Sequence, residues 1–128
     1  AGAEDYHAIA THVVDIAEDA TERFRERGDD RYTYHAPAVL LFCGNREGVS
    51  FRANAYIAAT YAMLAAHVQG LGTTMLEIVA PVVNRNAELK ARLGLGKDDL
   101  VIVSLVLGYP KFKFTRAIRR PLKGVRYL

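Results

Sequence analysis

Residues 51–69, FRANAYIAATYAMLAAHVQ, contain no acidic residue and seven alanines. A helix over this stretch is apolar on nearly every side, and such a helix has to be covered, in a core or at a subunit interface. The alanines let neighbouring backbones approach closely. The segment reads as the central helix of the fold, with Ser50 as its N-cap and Gly70-Leu71-Gly72 as its stop.

The flanking sequence supplies the layers around it. Ile9, Val13, Ile16, Ala17, Ala20 and Phe24 recur at steps of three and four, which predicts an amphipathic helix over 5–27, ended by Gly28-Asp29-Asp30. Ala36-Pro37 leads into AVLLFC, a short continuous apolar run that reads as a buried strand. TTMLEIVA follows the central helix as a short extended piece. A third helix is expected over 82–93, with Asn84 or Asn86 as cap and Gly94 as stop. LVIVSLVLG then reads as a β-branched buried strand. Helix, strand, helix, short strand, helix, strand and tail make an α+β or α/β layered domain, a single one over 1–128.

Charge is unevenly spread. The formal net charge is +3. From Lys111 to Arg126 there are seven cations (Lys111, Lys113, Arg116, Arg119, Arg120, Lys123, Arg126) and no acid, whereas the remaining ten cations and fourteen acids sum to −4. A positive field confined to the tail 111–128 points to a discrete anion more than to general affinity for nucleic acid, so a nucleic-acid partner is not expected. The single cysteine, Cys43, excludes an internal disulfide and a four-cysteine metal site, and suits a reducing, cytoplasmic compartment. The opening AGAEDYHAIA is acidic and does not read as a secretory leader. No apolar run is long enough to span a bilayer.

Several apparent motifs fail. GLGTTM lacks the third glycine of a dinucleotide loop and follows a helix. LGLGKDD has Asp98 where a phosphate loop needs Ser or Thr, and Ala91 where it needs its first glycine. His7, His12, His35 and His67 have no partners at metal-ligand spacing, so no metal is expected. Cys43 reads as a buried structural thiol, not a nucleophile.

Three segments together carry a resemblance. NAYIAATYAMLAAHVQGLGTTMLEIVAP, NRNAELKARLGL, and LVIVSLVLGYP ending in IRRPL resemble, in that order and at about that spacing, the C-terminal half of the FMN-dependent nitroreductase family. The resemblance covers about residues 36–128. It implies an α+β sandwich, a mostly antiparallel sheet flanked by helices, and a homodimer that holds FMN at its interface. It also implies an oxidoreductase that passes hydride from NAD(P)H through flavin N5 to a nitro, quinone or similar acceptor. By this resemblance Met75, Leu76 and Glu77 run along the isoalloxazine, and Arg119 and Arg120 meet the FMN phosphate, whose charge arginine forks suit. No residue is assigned a catalytic proton transfer.

The family's N-terminal Arg-x-Ser-x-Arg motif has no match. Arg23-Phe24-Arg25-Glu26-Arg27 lies in a helical pattern and lacks the hydroxyl. Two explanations stand open: a piece of a longer flavoprotein, for which a ferredoxin-like donor becomes possible, or an N-terminally shortened homologue. The alternative to an enzyme is a binding or assembly module that keeps the fold and the dimer interface without catalysis.

Overall fold

A computed structural model of the chain describes residues 18–112, together with Gly124 and Arg126. Residues 18–27 are helical (α1). The order then runs β1 (Ala38–Asn45), α2 (Phe51–Val68), β2 (Gly72–Leu76), α3 (Val79–Arg85), α4 (Ala87–Arg92) and β3 (Asp99–Gly108). The three strands form one sheet in the order β1-β3-β2, and both pairings are antiparallel. The expected α+β layering of an antiparallel sheet with helices is what forms.

β3 is central because its sequence can be buried on both sides. Successive strand residues point to opposite faces, and Val101 through Val106 are buried without a break. α2 packs across all three strands, and α3 packs on β3. Ala80 and Val83 of α3 meet Val101, with Leu41, Leu89 and Leu95 closing around them.

β2 stops opposite Ser104, which leaves the backbone of Val101 without a strand partner on that side. Asn84 takes the vacant place. Its amide donates to the Val101 carbonyl at 2.8 Å, and its carbonyl accepts from the Val101 N–H at 2.9 Å. Such pairing is required because an unpaired buried peptide group is expensive.

Four expectations need correction. The run AVLLFC is not a buried strand: β1 lies at a sheet edge, and Val39 and Leu40 are 38% and 40% exposed. Cys43, on that edge, is exposed rather than buried. The predicted helix 82–93 is two helices. It begins earlier, at Val79, and breaks where Asn86 adopts an extended backbone (φ −110°) and caps α4 by accepting from the Leu89 N–H at 2.9 Å. Gly94 does close it, at φ 71°, a conformation that suits glycine. Ser50 precedes α2 as expected but makes no side-chain cap; its own backbone is left-handed.

Among the described residues, the central helix is covered on one side only. Ala55, Ala59 and Ala66 are buried, while Ile57, Tyr61, Leu64 and Val68 are 55%, 71%, 59% and 85% exposed. Those four recur at steps of four, three and four, so they form one apolar stripe along the helix. No helix among the described residues is long and apolar enough to cross a membrane.

Asn84→Ala is expected to cost about 2–3 kcal/mol, because it strands a donor and an acceptor in the core. Asn86→Ala, which removes one exposed cap, should cost about 1 kcal/mol. Urea unfolding of both variants checks the ranking.

Candidate functional site

β2 and its exit carry the site. Met75 pairs with Leu105 and Leu76 with Ser104, the last pair of that ladder. The fully buried Ser104 hydroxyl donates to the Leu76 carbonyl at 2.7 Å and pins the end of the strand. The peptide N–H groups of Glu77 and Ile78 fall beyond the ladder, and the Glu77 side chain is exposed.

Glu77 does not swing free. Tyr56, reaching from α2, donates its phenol hydrogen to Glu77 Oε1 at 2.7 Å. That hydrogen bond raises the phenol's pKa. Burial and the Glu77 charge add to the rise, and Arg52, one turn earlier on α2, opposes it. The phenol therefore stays a donor across the neutral range. No sequence signal pointed to Tyr56, which lies 21 positions from its partner. Ser104 was visible in principle as the one hydroxyl within LVIVSLVLG.

At the other end of β2 lies a cleft of about 530 Å³, lined by Gly72–Thr74, residues 106–110, and the loop 33–37. Tyr34 and His35 on that loop have φ of 54° and 56°, a strained region for side-chain-bearing residues. Asp30 holds them there. Its carboxylate accepts from the Thr33 hydroxyl and from the N–H groups of Thr33 (2.8 Å), Tyr32 (2.9 Å) and His35 (3.1 Å). Partial burial works to raise the Asp30 pKa, but the Thr33 hydroxyl and then the backbone donors outweigh it and keep the carboxyl well below its usual range.

A model of the nitroreductase family matches residues 4–109. This chain belongs to the nitroreductase family. Its fold is similar to that of a nitroreductase with bound FMN from Bacteroides fragilis, at 18% identity and a TM-score of 0.63, over 83% of this chain and 60% of that one. It is also similar to B. megaterium NfrA1, at 20% identity and a TM-score of 0.53, over 86% of this chain and 52% of that one. The nitroreductase-family chain thus spans little more than half the length of these relatives. No curated protein matches it.

Within this nitroreductase fold, Met75 and Leu76 are half-buried on β2 and Glu77 stands at its exit. Arg119 and Arg120 lie outside the described residues, as do His7 and His12. Arg23 is helical and paired with Asp19 at 2.8 Å. Among the described residues no set of His, Cys, Asp and Glu could hold a metal ion. Partial burial, then the Asp99 charge, push the Cys43 thiol up, which makes it a poor nucleophile near neutral pH.

The Asp30 network sets a pH dependence. Its pKa is lowered on folding, so the stabilisation is present above its ordinary value of 3.8 and fades as pH falls below it. Asp30→Asn should cost about 1 kcal/mol at pH 7 and about half as much near pH 2.5, where the folded carboxyl is still ionised, read by urea unfolding at both. An equal cost at the two pH values would remove the charge from the account.

Proposed function

We propose that this chain is an FMN-binding oxidoreductase of nitroreductase type, or the flavin-binding portion of one. Family membership over residues 4–109 carries the reading, and the likeness in fold to a nitroreductase with bound FMN supports it.

The exit of β2 fits the polar edge of a flavin ring. Two peptide N–H groups there lie outside the sheet ladder, next to half-buried Met75 and Leu76. FMN, when bound, supplies hydride acceptance and donation at N5. Donors at Glu77 and Ile78 would favour negative charge on the ring. Tyr56 holds the Glu77 carboxylate in one place and keeps it hydrogen-bonded. Met75 and Leu76 would exclude water from the adjoining face. Arg119 and Arg120 would hold the phosphate. NAD(P)H or a ferredoxin-like protein would be the donor, and a nitro, quinone or similar compound the acceptor.

A second copy of the chain is the occupant proposed for the apolar stripe Ile57, Tyr61, Leu64 and Val68. Four large apolar side chains exposed on one helix are ordinarily covered, and no acid on α2 opposes a like surface.

The test is the visible spectrum of purified protein with and without FMN. A shifted flavin band is expected, and Arg119→Ala/Arg120→Ala should weaken FMN binding at least about tenfold. A protein that ignores FMN would leave the fold and remove the oxidoreductase. Sedimentation equilibrium should give a dimer that Leu64→Lys converts to monomer; a monomer at micromolar concentration before the substitution would defeat the interface.

A further inference from the structure

At the start of β3, four cations converge on a cleft of about 370 Å³: Arg46, Arg85, Lys90 and Lys97. Among the described residues no acid lines it. We propose that this cleft is a binding site for the phosphate or diphosphate group of a small organic molecule.

Each cation comes from a different element. Arg46 follows β1, Arg85 ends α3, Lys90 lies in the last turn of α4, and Lys97 lies in the turn before β3. Cations in a helix's last turn offset its carbonyl end, which accounts for Arg85 and Lys90 taken singly. It does not account for their meeting Arg46 and Lys97 around one space. Like charges gathered there repel one another unless an anion lies between them.

The site is partly organised already. Lys90 Nζ donates to the Lys97 carbonyl at 3.0 Å, which ties α4 to the turn. Arg46 Nε lies 3.4 Å from Asp98. The other acid of that turn, Asp99, accepts from the Gly96 N–H at 2.8 Å and from Asn45 at 3.1 Å. Four cations against these two acids leave a local excess of two positive charges. Arg85 and Lys97 have no side-chain partner among the described residues. They are the groups left to grip a ligand, one as a planar fork and one as a point charge.

Size and lining select the ligand. The cleft is of small-molecule volume, too short for the run of phosphates a nucleic acid presents. Ala91 and Leu95 give it an apolar wall beside the cations, which suits a phosphate attached to an organic body. The cleft shares no lining residue with the β2 exit at Met75, Leu76 and Glu77, so it does not rest on the flavin reading.

The test is a pyrophosphate titration of the full ¹⁵N-labelled chain at constant ionic strength. Saturable shifts of the Ala91, Leu95 and Gly96 amide signals are expected. Arg85→Ala/Lys97→Ala should weaken binding at least about tenfold with little change in melting temperature, since both side chains are exposed. Arg92→Ala, which removes a cation outside the cleft, should leave it unchanged. Absent shifts at these amides, an equal loss in Arg92→Ala, or preference for a single-stranded oligonucleotide over pyrophosphate would each overturn the proposal.

Discussion

Everything in this fold hangs on a strand buried on both faces whose peptide groups must all be satisfied. β3 is covered at six successive positions. β1 pairs along its whole length with one register shift, between Phe42 and Cys43, but β2 reaches only as far as Ser104. Side chains complete what the short strand leaves open: Asn84 serves Val101, and Ser104 serves the end of β2. No buried side-chain polar atom among the described residues is left without a partner. Polar residues inside an apolar run are thus explained by the geometry of the sheet's shorter edge.

The same shortness shapes the candidate site. Because β2 ends early, the chain turns at Glu77 and Ile78 with peptide donors outside the ladder. α2 crosses the sheet close enough for Tyr56 to reach Glu77. A longer β2 would have used one of those donors in pairing. The buried face of α2 is built from alanines, so the helix sits close to the strands, and its bulky apolar residues are left on the opposite side. One helix therefore sends Tyr56 to Glu77 and carries an exposed apolar stripe, Ile57, Tyr61, Leu64 and Val68.

Much of this was legible along the chain. The acid-free helix, the β-branched strand and the glycine stops each follow from local pattern, and the order of the elements follows from theirs. The family resemblance rested on those same segments. The misreading of β1 and of Cys43 has one cause. AVLLFC and LVIVSLVLG are both continuous apolar runs, and both read as buried; only sheet order separates the edge strand, with its exposed Cys43, from the central one. Asn84 and Asn86 were equivalent as caps on paper. One caps α4, and the other, within α3, pairs its side chain with a strand.

The sequence by itself determined the order of helical and extended segments, the glycine stops of α2 and α4, and that the tail is basic, because those depend on periodicity, backbone propensity and charge within a few residues. Tertiary structure alone decided which strand is central, which face of α2 is left open, that Tyr56 meets Glu77, and that four cations from four elements share one cleft. Those outcomes depend on contacts between residues tens of positions apart, and no local pattern encodes which of several apolar or charged segments will meet.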